Sequence, residues 1–378
     1  MRIGVPKEIK NHEYRIGLTP AGVRELAGHG HEVLVQRDGG KAIGLTDELY
    51  ERAGGRIVDT AEEIFAAADM IIKVKEPQPD ECEMLREGQI LYTYLHLAPD
   101  PQQTKGLVDS GCTAIAYETV TDRRGGLPLL APMSEVAGRM SIQAGAHALE
   151  RAQGGSGVLL GGVPGVRPAE VMIIGGGVVG LNAARMAMGM GADVTIFDRS
   201  LPRLKYLDEL YGDRLNTLYS TAEAIDEHLS TVDLVVGAVL IPGAAAPKLV
   251  RREQLGIMQP GSVLVDVAID QGGCFETSHP TTHQDPTYEV YGIIHYCVAN
   301  MPGAVARTST FALTHATLAC AVQIADKGAR QAMLDDPHLL DGLNVHRGQV
   351  TFEAVARDLG YDYVPPAQAL SAASATPR

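Results

Sequence analysis

Three glycines, Gly175, Gly177 and Gly180, follow an apolar run at Gly-x-Gly-x-x-Gly spacing and open a helix-like stretch. They permit a tight turn, close approach of a pyrophosphate to the backbone, and close packing of the helix on the strand. Asp198 ends the next apolar run, at the spacing of roughly 20 residues expected for the acid that binds an adenosine ribose. Because a carboxylate disfavours a 2′-phosphate, the pattern predicts NAD rather than NADP, although the neighbouring Arg199 acts in the opposite direction. The alternative is a βαβ unit that binds no nucleotide.

Polar residues also follow the apolar runs of the first third of the chain. Lys75, His96 and Glu118 each come at the end of such a run, and Arg15 precedes a helix-like stretch. Arginine and lysine bind carboxylates, and histidine transfers protons near neutral pH. Taken alone, each has an ordinary structural role as its alternative. Because ligands of open α/β sheets bind outside the carboxyl ends of strands, their shared position favours one common site if the strands are neighbours.

Three further segments in the middle of the chain could contribute to a site. Asp270 follows another apolar run and precedes two glycines, so it is either a proton-transfer group or a turn aspartate. Residues 298–303 are either a turn or a backbone wall for the nicotinamide. Ser134 is either a helix cap or a cofactor contact.

The first 130 residues alternate strand and helix patterns, which is typical of a parallel sheet with helices on both faces. The predicted strands are 2–5, 32–35, 70–74, 90–95 and 113–117, and the predicted helices are 19–28, 46–53, 60–67 and 101–110. A second series contains predicted strands at 171–174, 193–197, 234–237, 263–267 and 296–298, with a helix at 177–190.

Two helical patterns join and follow these series, at 132–153 and 308–335. Since the second comes after the last strand of the nucleotide unit, we expect the tail to return to the first domain. The predicted fold is α/β, with two doubly wound parallel-sheet domains and a cleft between them. Residues 1–130 with 305–378 would form a Rossmann-like substrate and catalytic domain, and 131–304 a Rossmann NAD-binding domain.

Composition narrows the classes of partner. The formal net charge of −14 over 378 residues argues against nucleic acid and against an anionic membrane surface. No apolar run approaches the ~18 residues that span a bilayer, and the first residues show no signal-peptide pattern. The cysteines are scattered, odd in number and free of Cys-x-x-Cys spacing, so we expect reduced thiols and a cytoplasmic protein.

Motifs of a known family occur along the chain to about residue 330, at 4–8, 15–20, 74–77, 94–98, 116–120, 129–139, 270–276 and 297–302. Through these stretches the chain resembles the alanine dehydrogenase/transhydrogenase alpha-subunit family, and within it the bacterial NAD-dependent enzymes. It implies reversible oxidative deamination of L-alanine to pyruvate and ammonium, with reduction of NAD. It also implies two α/β domains separated by a cleft, the first completed by C-terminal helices, and a homohexamer.

The resemblance implies roles for individual residues. Arg15 and Lys75 would bind the substrate, His96 would be the general acid/base, and Asp270 the second catalytic group. Cofactor contacts would come from Ser134, Gly175, Gly177, Val178, Val179, Gly180, Asp198, Arg203, Ser220, Val239, Leu240, Val267, Ala268, Ile269, Asp270, His279, Val298, Ala299, Asn300 and Met301.

The chain departs from the family pattern in two ways. Some members carry a cofactor-binding arginine where this chain has His279. Some bind magnesium through a glutamate and a histidine where this chain has Gln323 and Lys327, so we predict no metal.

Two other functions remain as alternatives. One is the NAD-binding subunit of a nicotinamide nucleotide transhydrogenase, which needs no amino-acid site. The presence of Lys75, His96 and Asp270 together, without a membrane segment, argues against it. The other is a non-catalytic NADH-sensing protein, against which the retention of every candidate catalytic residue argues.

Overall fold

Short apolar segments form the strands of two separate sheets. The computed structural model describes residues 1–239 and 246–371. The strands are β1 (Arg2–Val5), β2 (Glu32–Gln36), β3 (Arg56–Val58), β4 (Met70–Ile72), β5 (Ile90–Thr93), β6 (Thr113–Ala116), β7 (Glu170–Ile174), β8 (Asp193–Asp198), β9 (Asn216–Tyr219), β10 (Leu234–Gly237), β11 (Val263–Asp266), β12 (Thr287–Val290), β13 (Ile293–Tyr296), β14 (Leu343–His346) and β15 (Gln349–Val350).

Helices connect most of these strands. They are α1 (Pro20–Gly28), α2 (Asp47–Arg52), α3 (Ala61–Ala67), α4 (Pro79–Met84), α5 (Pro101–Ser110), α6 (Ala131–Ala148), α7 (Val178–Gly189), α8 (Leu201–Tyr211), α9 (Ala222–Leu229), α10 (Ala306–Lys327), α11 (Ala329–Asp335), α12 (Pro337–Leu340), α13 (Glu353–Leu359) and α14 (Pro366–Ser371). Threonine caps explain where some begin: the Thr19 side chain accepts a hydrogen bond from the backbone N–H of Gly22 at the start of α1. No helix in these described ranges is long and apolar enough to cross a bilayer.

The chain divides into two compact units. The first contains Met1–Pro132 and the described residues from Val305 onward, and the second is Met133–Ala304. The sheet of the first unit has the order β15-β14-β6-β5-β4-β1-β2-β3. Its strands from β6 to β3 are parallel, and the order reverses between β1 and β4, which makes this the switch point of the sheet.

The sheet of the second unit has the order β12-β13-β11-β10-β7-β8-β9, with its switch point between β7 and β10. Successive residues of its central strands enter different apolar clusters: one contains Ile173, Val236 and Val265, and the other contains Met172, Val235 and Leu264. Both faces of these strands are therefore buried, as expected for parallel strands with covered faces.

The structure corrects two details of the predicted fold. Both sheets are mixed, because β12 and β14 pair antiparallel with their neighbours, and β15 pairs antiparallel with β14 at the edge of its sheet. The helix predicted at 308–335 is two helices, α10 and α11. Gly328, with φ of 77°, separates them, because this left-handed conformation cannot continue an α-helix.

Candidate active site

Lys75, His96 and Glu118 follow β4, β5 and β6, respectively, within a few residues of the strand ends. These strands are neighbours in the sheet and run parallel. The condition that the sequence left open, that the strands be adjacent, is therefore met. The three side chains belong to one edge of the first sheet, where α/β proteins bind ligands.

His96 has an unusual backbone, with φ of 48°. A histidine in this left-handed region costs conformational energy, so surrounding contacts must hold it. Glu118 provides them: its Oε1 accepts hydrogen bonds from the backbone N–H of His96 at 2.6 Å and of Leu95 at 3.0 Å. The imidazole lies parallel to the ring of Tyr94, with centroids 5.8 Å apart, and its side chain is 42% exposed. Glu118 thus holds the backbone of His96 and Tyr94 packs on its ring, while part of the imidazole is left exposed.

Lys75 lies against Glu76, with 3.5 Å between Nζ and Oε2. Burial favours a protonated Glu76, but the charges of Lys75 and Lys10 outweigh burial and lower the pKa of this carboxyl to about 2. Glu76 is therefore an anion at neutral pH. It forms an ion pair with Lys75, whose ammonium group can bind a carboxylate.

Two residues before Lys75, Lys73 forms a buried ion cluster with Glu8 and Glu81. Lys73 is 0% exposed, and its Nζ lies 3.2 Å from Glu8 Oε2 and 2.6 Å from Glu81 Oε1. Burial lowers the pKa of Lys73, but the two carboxylates outweigh that effect and raise it, so the lysine stays charged. The other oxygen of Glu8 accepts a hydrogen bond from the backbone N–H of Val74 at 2.7 Å. The cluster thereby anchors the segment that carries Lys75.

Arg15 pairs with Glu13 through two parallel hydrogen bonds, from Nε at 2.8 Å and from an Nη at 2.6 Å. The side chains are 2% and 0% exposed. Burial lowers the pKa of the guanidinium, but the bond and charge of Glu13 outweigh burial and raise it. Glu13 thus orients Arg15, and little of the guanidinium is exposed in this structure.

In the second unit, the glycine turn has the geometry that a pyrophosphate requires. Gly175 has φ of 109°, and a Cβ at Gly180 would lie 1.8 Å from the carbonyl oxygen of Gly175. A Cβ at Gly177 would instead meet no atom within 4 Å, so open space lies beside this backbone. Gly177 caps α7 without any side-chain hydrogen bond, and the first turn of α7 has no acidic residue. The first two residues of α7 are Val178, which is exposed, and Val179, which is buried. Because open space lies beside the turn and the helix start has no acidic side chain, the residues present fit a bound phosphate.

Asp198 is the last residue of β8 and faces the glycine turn. Its carboxylate accepts hydrogen bonds from the backbone N–H groups of Gly176 at 2.7 Å and Ser200 at 2.8 Å. Arg203 donates to the carbonyl of Gly176, and buried Ser220 donates its backbone N–H to the carbonyl of Asp198 at 3.0 Å. These candidate cofactor residues are therefore joined to one another around the turn.

Other predicted cofactor residues follow the neighbouring parallel strands at the same edge. Val239 follows β10, and Val267, Ala268, Ile269 and Asp270 follow β11, with Asp270 exposed in a short 3-10 turn. The residues Val298, Ala299, Asn300 and Met301 follow β13, and Asn300 has φ of 69°. Leu240 lies outside the described residues.

Two predicted contacts lie in other surroundings. His279 stacks on Tyr288 of the antiparallel edge strand β12, with ring centroids 3.7 Å apart. Ser134 lies within the first turn of α6 and not before it, because that helix begins at Ala131. Both remain predictions as cofactor contacts.

Gln323 and Lys327, the positions on which the absence of a metal was predicted, make contacts within the first unit. Gln323 donates to the carbonyl of Ala332 at 3.2 Å, and Lys327 pairs with Asp335 at 2.6 Å. The metal prediction itself stays a prediction.

The sequence reasoning missed the partners that hold these side chains. Glu13, Lys73 and Tyr94 were not singled out, although each lies within two residues of a predicted site residue. A charged residue inside an otherwise apolar run, such as Lys73, is a usable signal, since burial of a lysine requires paired carboxylates.

Family models match nearly the whole chain. The alanine dehydrogenase/PNT N-terminal domain matches residues 4–137, and the alanine dehydrogenase/PNT C-terminal domain matches residues 141–353. An alanine dehydrogenase of Halomonas elongata is 62% identical over 367 residues, which are 97% of this chain and 99% of the relative.

Solved structures agree with the family models. An L-alanine dehydrogenase structure superposes with a TM-score of 0.92 at 50% identity, covering 95% of this chain and 99% of that one. A transhydrogenase from Sinorhizobium meliloti superposes with a TM-score of 0.79 at 25% identity, covering 94% and 100%. The predicted fold class and family are confirmed: the chain belongs to the alanine dehydrogenase/PNT family.

Proposed function

We propose that this chain catalyses the reversible, NAD-dependent oxidative deamination of L-alanine to pyruvate and ammonium. The observation that carries the proposal is the grouping of Lys75, His96 and Glu118 at one strand-end edge of a chain that matches relatives named alanine dehydrogenase over almost its whole length. The balanced reaction is L-alanine plus NAD⁺ plus water giving pyruvate, ammonium, NADH and a proton.

Substrate binding is the role we assign to Lys75 and Arg15. Alanine and pyruvate share a carboxylate, which an ammonium and a guanidinium recognise by charge and hydrogen bonds. Glu76 forms an ion pair with Lys75, and Glu13 orients Arg15. Holding the carboxylate fixes which way the Cα hydrogen points, and such positioning contributes several kcal/mol to lowering a barrier.

Proton transfer is the role we assign to His96 and Asp270. When bound, NAD would accept the hydride, and loss of this hydride from Cα of the neutral amine would give an iminium ion. Water then adds to the iminium carbon to give a carbinolamine, and loss of ammonia leaves pyruvate. His96 takes a proton from the attacking water and returns one to the leaving nitrogen, and Asp270 orients the water and shares these transfers.

NAD preference is assigned to Asp198, whose carboxylate lies beside the glycine turn. Replacing Asp198 with asparagine keeps an oxygen that can accept from Gly176 but removes the negative charge. We expect the ratio of kcat/KM for NADP to kcat/KM for NAD to rise about tenfold or more, which corresponds to ~1.4 kcal/mol. Initial rates with each cofactor measure this ratio. An unchanged ratio would show that other groups select the cofactor.

We further propose that the chain assembles as a homohexamer and is located in the cytoplasm. The assembly rests on the family resemblance alone. The cysteines Cys82, Cys112, Cys274, Cys297 and Cys320 are all free, which is what a reducing compartment maintains.

The direct test is an assay of the purified chain by the near-ultraviolet absorbance of NADH. We expect absorbance to rise with L-alanine and NAD, and to fall with pyruvate, ammonium and NADH. Transhydrogenation is the second candidate, favoured by the likeness to a transhydrogenase structure. Hydride transfer between two nucleotides without turnover of alanine would support that candidate, and NADH binding without either reaction would support a sensor.

A further inference from the structure

Asp266 is a buried acid that the proposed reaction does not use. It is the last residue of β11 and is 0% exposed. Its Oδ1 accepts from the backbone N–H of Ala268 at 3.2 Å, and its Oδ2 accepts from the N–H of Phe275 at 3.2 Å and from the Ser278 hydroxyl. A carboxylate is stable in such a place only when it is hydrogen-bonded. Asp266 therefore ties the start of the segment 267–278 to its end.

The carbonyl groups of the same segment bind a lysine. The Nζ of Lys248 donates to the carbonyl of Gly272, to that of Gly273 at 2.9 Å and to that of Phe275 at 3.3 Å. Backbone bonds continue this contact, from Leu249 N–H to the carbonyl of Cys274 at 2.7 Å. The Asp266 carboxylate thus binds N–H groups of the segment, and the Lys248 side chain binds its carbonyl groups.

Asp270 lies in the part of the segment between the residues that Asp266 and Lys248 contact. It lies in the 3-10 turn Ile269–Gln271, exposed, between Ala268 and Gly272. A Cβ at Gly273 would lie 2.6 Å from Asp266 Oδ2, so the chain after Asp270 packs directly on the buried carboxylate. The position of the Asp270 turn therefore depends on Asp266 and Lys248.

We propose that Asp266 and Lys248 are positioning residues, which clamp the segment 267–278 so that the Asp270 carboxylate is placed for proton transfer. The proposal rests on the role given to Asp270 in the proposed function. A displacement of about 1 Å in a catalytic group can lower a rate by ~10²-fold, so a clamp of this kind has a kinetic consequence.

The test compares Asp266→Asn and Lys248→Met with the unmodified enzyme. We expect kcat for reductive amination to fall roughly 10- to 100-fold in each. We expect KM for pyruvate to stay within about twofold, because Arg15 and Lys75, to which we assign binding of its carboxylate, are unchanged in these variants. Lys248→Arg keeps the cation, and we expect its kcat to stay within about threefold of the unmodified value.

Hydrogen exchange separates positioning from general loss of structure. In Asp266→Asn and Lys248→Met we expect faster amide exchange within 267–278, with the amides of β11 still protected. The matched control is Asp233→Asn at the opposite end of the same sheet, where the carboxylate accepts from the N–H of Glu170 at 2.9 Å. Its kcat should be unchanged. Unchanged kcat in Asp266→Asn and Lys248→Met, or faster exchange throughout the second unit, would overturn the proposal.

Asp270→Asn distinguishes this inference from the function on which it rests. If Asp270→Asn turns over like the unmodified enzyme, the role of Asp270 in the proposed function is wrong. If Asp270→Asn is impaired while Asp266→Asn and Lys248→Met are not, only the clamp is wrong. Impairment of all three with the expected kinetic split supports both.

Discussion

Replacing His96 with alanine is expected to lower kcat by about 10²- to 10⁴-fold in both directions, because it removes the group to which we assign proton transfer between water and the reacting nitrogen. NADH affinity should be unchanged, since the proposed cofactor residues belong to the second unit and His96 to the first. Initial rates give kcat, and the fluorescence of bound NADH gives its dissociation constant.

The control for this variant is His147→Ala. His147 is 63% exposed and pairs with Glu150 on the surface of the second unit. It should retain full activity, which separates loss of a catalytic imidazole from loss of any histidine. Turnover at the unmodified rate in His96→Ala would contradict the assignment of the general acid/base.

Replacing Lys75 with glutamine is expected to lower kcat/KM for pyruvate roughly 10- to 100-fold, since a hydrogen bond to a charged group contributes about 1.5–3 kcal/mol. The reason is the loss of the cation, 3.5 Å from Glu76, to which we assign binding of the substrate carboxylate. NADH affinity should again be unchanged. Rates over a range of pyruvate concentrations separate kcat from KM.

Lys105→Gln is the matched control for this second variant. Lys105 is 69% exposed and pairs with Asp109 on α5, away from the strand ends. Its kcat/KM should equal that of the unmodified enzyme. If Lys75→Gln also leaves kcat/KM for pyruvate unchanged, Lys75 does not bind the substrate carboxylate.

Local patterns predicted much of the fold. Residues 2–5 and 234–237 were predicted as strands and are β1 and β10, because short apolar runs beside turn residues are typical of buried parallel strands. The antiparallel strands β12 and β14 were not predicted. They are short and pair antiparallel with strands whose faces decide their register, so tertiary pairing stabilises them more than their own sequence does.

The candidate site was predicted where the residue types and the strand ends were sufficient. Lys75 and His96 could be selected because each follows an apolar run and has a side chain suited to chemistry. Glu8 and Lys248, which hold the segments around the site, could not be selected, because their partners are far away in the sequence: Glu8 bonds to Val74, and Lys248 to Gly273. Such pairs depend on how strands are ordered in the sheet, which one sequence does not reveal.

The transfer of hydrogen from the α-carbon of alanine to NAD is the central claim. The most direct measurement uses L-alanine deuterated at Cα, with NAD, and mass spectrometry of the nicotinamide nucleotide formed. We predict NADH that carries a single deuterium, together with pyruvate in equal amount. NADH without deuterium, or no reduction of NAD by alanine, would contradict the account.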